Sequence, residues 1–441
     1  MTPLKSILYF TLPYIISYFF QTLYGMIDLF IIGKYNGVEI ITAVSIGSQF
    51  MHLLTVMVVG FSMGITVIIG RLIGAREYRK VSMFIGNSFI LFSLLAVILM
   101  FCLFVFINFL VHIMSTPIQS YADTKLYLEI CFLGLPFIVF YNIFSSIFRG
   151  IGDSKSPMIV IAIACVFNII LDFIFIGILG LGAFGAAGAT FLSQIISVLV
   201  SIIIFSKQKF DLLVSIKDFR LKKEILYSLL KTGGPIAFQD GFIQIAFMII
   251  IIIANKRGLN VAAAVGIVEK IIGILFIIPS ALLSSVSVLV AQNLGANNVK
   301  RARQTLYYSI KIAIVFGILS VGLMYFFDNR IIRFFIKNEN VVLLGVQYMR
   351  GYVWDCIFAG IHFCFSGYFC ANGFSNISFF HNVFSIFLAR IPLAYFASKK
   401  IPNNLFFMGL ASPIGSIVSV IICVVVFVWM NRYSKKLNKI L

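Results

Sequence analysis

Acidic residues are what this chain most lacks: 15 Asp and Glu face 34 Lys and Arg in 441 residues, and charged residues of both signs make up only 11%. That supply of polar side chains cannot cover a soluble core, which excludes a soluble globular domain. Cysteine is sparse too. The seven cysteines all lie inside apolar stretches without metal spacing, which excludes a disulfide framework. The four histidines, His52, His112, His362 and His381, are scattered along the chain and suggest neither a metal cluster nor histidine-based acyl transfer. The loops after odd-numbered spans are short and leave no room for an external domain. No small-residue cleavage site follows the first apolar run, so that run is expected to be a retained span rather than a signal peptide.

What is present is apolar. Hydrophobic residues make up 61% of the chain and the mean hydropathy is +1.07. Stretches at about 8–32, 40–70, 81–112, 126–149, 157–180, 185–206, 233–255, 261–291, 304–327, 345–371, 376–398 and 404–431 each reach the roughly 20 residues that cross a bilayer. Six fall in each half, and the halves echo one another. Gly64–Ala75 aligns with Ser285–Ala296, 221 positions on; Leu12-Pro13 is echoed by Gly234-Pro235, and Phe148–Gly152 by Phe369–Gly373. Repeats with an even number of spans run in the same sense, so the expected fold is all-α, twelve transmembrane helices in two parallel six-helix lobes. The expected divisions are a first lobe at 1–206, a basic linker at 207–231 and a second lobe at 232–441. Within that linker, apolar residues alternate with Lys217, Arg220, Lys222 and Lys223, a pattern that predicts a helix lying on the membrane surface.

The formal charge of +19 is not a nucleic-acid signature, because of where the bases fall. Of the 34, 21 sit at the N-terminus, after even-numbered spans or at the C-terminus; 9 follow odd-numbered spans, and Lys270, Lys311, Arg350 and Arg390 lie within spans. That asymmetry predicts an inner-membrane protein with both termini cytoplasmic, its bases facing anionic lipid.

Two motifs are look-alikes. Gly180-Leu181-Gly182-Ala183-Phe184-Gly185 matches a dinucleotide fingerprint, but it joins two membrane spans instead of a strand and a helix. Gly150-Ile151-Gly152-Asp153 resembles an intramembrane aspartyl protease element yet lacks the second aspartate, and Asp153 reads as a loop cap or ion-pair partner. No convergent nucleophile or acid/base set is visible, so no enzyme and no cofactor are expected.

Five acids fall inside spans: Asp28, Asp172, Asp240, Glu269 and Asp355. A carboxylate there is costly unless paired or hydrated, which makes each a functional candidate. Asn168 and Asp172, four apart, share a helix face. Asp172 and Thr190 lie nine residues either side of Leu181 and are expected to face each other at one depth, while Asp28 precedes the Gly33–Gly37 turn on the same side. Asp28, Asn168, Asp172 and Thr190 are therefore expected to meet in the outer half of the first lobe, with Gln21 and Tyr24 on the stripe that leads to Asp28. Asp240 and Asp355 are candidates for a cavity in the second lobe. Pairing between helices is the favoured reading of Glu269 and Arg390.

Pro13, Asp28, the Arg149–Pro157 loop, Asn168–Asp172, Gly185–Thr190 and Arg390-Ile391-Pro392 together resemble the MATE (multidrug and toxic compound extrusion) family over nearly the whole chain. The resemblance implies a central cleft alternately open to either side and export of organic cations in exchange for protons or sodium. It implies that Asp28, Asn168, Asp172 and Thr190 hold H+ or Na+, that Gln21, Tyr24 and Asn142 line a substrate chamber, and that Pro13 is a hinge. The expected partners are drug-like small molecules and membrane lipid, with no nucleic acid, and the expected state is a monomer. The rival expectation, a lipid-linked precursor flippase of the same superfamily, would want several bases in the cleft.

Overall fold

The fold is described by a computed structural model over residues 2–207 and 215–437. In so apolar a chain the backbone must satisfy its own hydrogen bonds, and within lipid a helix does so inside a single segment. Every regular element among the described residues is helical. The first half contains α1 (Pro3–Tyr35), α2 (Val38–Gly74), α3 (Tyr78–Val105), α4 (Ile107–Ile113), α5 (Ile118–Ile151), α6 (Lys155–Asp172) and α7 (Gly182–Lys207). The second contains α8 (Lys223–Asn255), α9 (Leu259–Leu275), α10 (Ile277–Gly295), α11 (Val299–Phe335), α12 (Glu339–Tyr352), α13 (Asp355–Ala371), α14 (Ser375–Ser385), α15 (Ile391–Lys400), α16 (Phe406–Gly409) and α17 (Ala411–Leu437). Eleven segments are long and apolar enough to span a membrane, and α12 with α13, bent by 40° at a short break, supplies a twelfth. Hydropathy could not register that bend, because Val353 and Trp354 at the break are themselves apolar.

The chain packs as two compact units, one of Leu12–Ala237 with Ala291–Asn297, the other of Phe238–Val290 and Asn298–Leu441 with Met1–Thr11. Each unit thus takes in a short piece of the other half of the sequence. In the first unit the tip of α10 lies against the end of α2: a Cβ on Gly74 would collide with the Gln292 carbonyl, and one on Gly295 with the Arg71 carbonyl. Gln292 also donates from its side chain to the Gly150 carbonyl at 3.0 Å. In the second unit the start of α1 is held by Thr11, whose hydroxyl donates to that of Ser285 at 3.0 Å.

The linker departs from expectation. Part of it, 208–214, lies outside the described residues; the rest is no surface helix but one 3-10 turn, Ile216–Asp218, after which α8 starts at Lys223. Buried Asp218 is the reason. Its carboxylate pairs with Arg79 of α3 at 3.1 Å and accepts the Ser215 N–H at 2.9 Å, while the Lys222 N–H reaches Asn87 Oδ1 at 2.8 Å. An interfacial helix would give up these contacts with α3.

Candidate functional site

In the first unit α1 runs beside α6, with Cys165 Sγ 3.8 Å from the Phe20 carbonyl. One and two turns further along α6 come Asn168 and Asp172, and two turns beyond Phe20 on α1 comes Asp28. All three are buried, at 1%, 0% and 5% exposure. The structure brings them together: the charge of Asp28 reaches Asp172, Tyr24 feels both, and Tyr127 and Cys131 of α5 face Asp28. Asp28 Oδ1, both carboxylate oxygens of Asp172 and both amide atoms of Asn168 have no protein hydrogen-bond partner. Buried polar atoms are nearly always paired, so five unpaired ones in one place mark a site shaped for something else.

Other expected members are less buried or are engaged with the backbone. Thr190 on α7 and Gln21 on α1 are half-buried, and among the described residues no hydrogen bond links the Thr190 hydroxyl to either acid. Asn142 is buried and donates to the Ile138 carbonyl at 2.8 Å, which leaves its own amide oxygen available. Pro13 lies within the unbroken α1. Directly behind Asp172 the helix widens into a π segment, Phe173–Ile178. Such widenings recur at functional sites. This one ends in the Gly180–Gly182 turn, where both glycines have positive φ.

The second unit has its own buried polar group. Glu269 accepts from the Tyr348 hydroxyl at 2.8 Å, and Arg390 donates to the Tyr352 hydroxyl at 2.5 Å. Arg390 also stacks over Phe247, 4.6 Å from the ring centroid, at the end of a second π segment, Ile386–Arg390. Asp355, 1% exposed, and Glu269 both lie within reach of the guanidinium. Two acids thus share one base. Asp240 is half-buried on α8, towards Cys370, and is not brought to this group. His362 and His381, far apart in the sequence, are brought to ring centroids 5.8 Å apart; His381 lies between Ser366 and Ser419 at 3.0 and 2.6 Å. Among the described residues no three His, Cys, Asp or Glu side chains converge as a metal site.

The family model for MatE matches this chain twice, at residues 13–174 and 235–396. The chain belongs to the MatE family. The two MatE matches start 222 positions apart (235 against 13), so the internal repeat is a repeat of the family unit itself. A model for the lipid II flippase MurJ also matches, over residues 119–258. Among curated relatives, the probable multidrug resistance protein YoeA of Bacillus subtilis is 25% identical over 98% of this chain and 96% of its own. The multidrug export protein MepA of Staphylococcus aureus is 25% identical over 84% and 82%. Among solved structures, a MATE in complex with MaL6 superposes with a TM-score of 0.91 at 24% identity, covering 100% of this chain and 98% of that one. A MOP superfamily transporter from Pyrococcus furiosus, described as having a binding pocket of reversed polarity, gives 0.90 at 23%, covering 99% and 97%.

Against this MatE frame, the residues that sequence reading passed over are Tyr127, Tyr348, Tyr352 and the histidine pair. Asp328 was passed over too: it is buried at 4% exposure and takes the Arg350 guanidinium at 2.6 Å. A tyrosine in a greasy run carries no signal of its own. Asp328 lies close to Arg330 and Arg333 and reads as a span end.

Proposed function

We propose that this MatE protein is a secondary antiporter of the inner membrane that exports amphipathic, mostly cationic organic compounds in exchange for H+ or Na+. The observation that carries it is the Asp28–Asn168–Asp172 group, buried in an apolar helical unit with five polar atoms unpartnered. Two carboxyls there need a positive partner, and a cation arriving from one side and leaving to the other is what exchange transport requires. Thr190 would complete the ion site, and Gln21, Tyr24 and Asn142 would line the substrate chamber. The relatives named for multidrug resistance and export support the substrate class, and the excess of bases after even-numbered spans supports cytoplasmic termini.

The coupling ion acts as cargo, and the protein does this as a monomer with no cofactor and no chemical step. The flippase reading is less favoured: of the intramembrane bases, Arg350 is engaged by Asp328 and Arg390 lies among Glu269 and Asp355, leaving few to receive a pyrophosphate. The test is dye efflux from energised membrane vesicles. Asp172→Asn and Asp28→Asn should each abolish efflux at unchanged membrane abundance, since the substitution removes charge while keeping volume. Full efflux in both variants would overturn the site.

A further inference from the structure

The charges in the polar group of the second unit do not balance. Glu269 and Asp355 face a single base, Arg390, and among the described residues no other base comes into ion-pair distance of either acid. Lys270, next to Glu269 in the sequence, is exposed. One negative charge is left over. Hydrogen bonding is incomplete as well: Glu269 Oε2, Asp355 Oδ1 and Arg390 Nε are buried without a partner.

A buried charge in excess calls for a counter-charge, and His362 is placed to supply it. It is 5% exposed and lies two turns along α13 from Asp355. Ser416 of α17 joins the two. Its hydroxyl donates to Asp355 and stands 3.5 Å from His362 Nε2. A hydroxyl has one proton to give, so with that proton on Asp355 the imidazole contact is made by an Nε2–H donor, and Nδ1 is the bare acceptor of the neutral ring. That Nδ1 atom is buried and unpartnered. The neighbouring ring of His381, at 5.8 Å between centroids, differs in this respect, because Ser366 and Ser419 take both of its nitrogens, at 3.0 and 2.6 Å. One imidazole is closed and the other is open.

We propose that His362 is a proton-binding site of the second unit, its imidazolium held to Asp355 through Ser416 and balancing the charge of Glu269, Asp355 and Arg390. The proton enters at Nδ1. Nε2–H then becomes a charge-assisted donor that tightens the contact with Ser416, while Ser416 keeps its own proton on Asp355. The groups facing His362 act in both directions: Arg390 at the end of the second π segment repels a charge there, as His381 of α14 would if charged, whereas Asp355 attracts it and Glu269 offsets Arg390. The site is distinct from Asp28–Asn168–Asp172, which belongs to the other unit, and it does not depend on what the protein exports.

With only four histidines in the chain, the proton can be observed directly. Nuclear magnetic resonance of the full chain in phosphatidylcholine nanodiscs, with isotope-labelled histidine ring nitrogens, gives each imidazole its own pair of signals, and His362→Gln identifies the pair from His362. Between about pH 8 and 5 those signals should pass from the neutral Nε2–H form to the doubly protonated one, while those of His381 stay neutral. At about pH 6, Asp355→Asn, which keeps the side-chain volume, should lower the ratio of protonated to neutral His362 about tenfold, the effect of removing one nearby opposite charge. Ser416→Ala, a smaller change to the packing, should lower it in the same direction. A His362 ring that stays neutral throughout overturns the proposal. So does a ring that becomes protonated to the same extent in the wild type and in both variants.

Discussion

At the scale of single residues, the two units keep charge inside an apolar fold in opposite ways. Among the described residues Asp28 and Asp172 stand without a base, whereas Glu269 and Asp355 lie within reach of one, Arg390. The second arrangement is self-neutralising in part, so Arg390 is expected to be chiefly structural. Arg390→Met should leave both acids without a counter-charge and destabilise the second unit by about 3–5 kcal/mol, seen as a lower thermal midpoint in detergent. Adding Asp355→Asn should recover part of that loss, and a double variant no more stable than the single one would show that the three groups are not coupled. The acids were legible in the sequence because an acid inside an apolar run is rare. Their surroundings were not: the Tyr348 and Tyr352 hydroxyls are found only once α12 is placed beside Glu269 and Arg390, and the histidine pair is made by the contact of α13 with α14.

At the scale of helices, all twelve spans were legible because the bilayer sets a length and composition that few other structures demand. The widenings were not. Nothing in Phe173–Ile178 or Ile386–Arg390 distinguishes a π segment from an α-helix by composition, since each is a short stretch of a continuing span, apolar but for Gly177 in the first and Arg390 in the second. The linker was misread for a related reason: alternating bases and apolar residues suit a surface helix, but buried Asp218 pins the chain to α3. The repeat at Gly64–Ala75 and Ser285–Ala296 was visible, yet its use was hidden until Gly74 and Gly295 were found back to back. Gly74→Val or Gly295→Val should force these helix ends apart and lower stability by about 1–3 kcal/mol, read as a thermal shift. Gly234→Ala, with nothing within 4 Å of its would-be Cβ, is the control and should be silent. Valine at 74 or 295 without a shift would mean that the crossing is not held closed in the protein.

At the scale of the whole molecule, the question is what makes ion binding in one unit move a drug. Asp28 is on α1 and Asp172 on α6, and both are withdrawn from solvent, so two negative charges there repel with little screening and each lacks hydration. A cation that joins them removes the repulsion and draws α1 towards α6. α1 is divided between the units, as α8 and α10 also are: its first residues fall in one and the rest, from Leu12, in the other. Pro13 stands at that seam without an N–H to stiffen the turn. Ion occupancy would then bend α1 at Pro13, reduce the chamber lined by Gln21, Tyr24 and Asn142, and release the drug. A proton can join two carboxyls without a coordination shell; sodium would need the oxygens of Asn168 and Thr190 as well. Because a proton makes no demand on metal geometry, the proton is the coupling ion we propose. In energised vesicles, collapsing the pH gradient while a sodium gradient is kept should stop most drug efflux. Sustained efflux would reassign the ion to sodium, and Thr190→Ala should then weaken transport with sodium limiting. Efflux insensitive to both gradients would remove the ion from the cycle and with it the antiport mechanism.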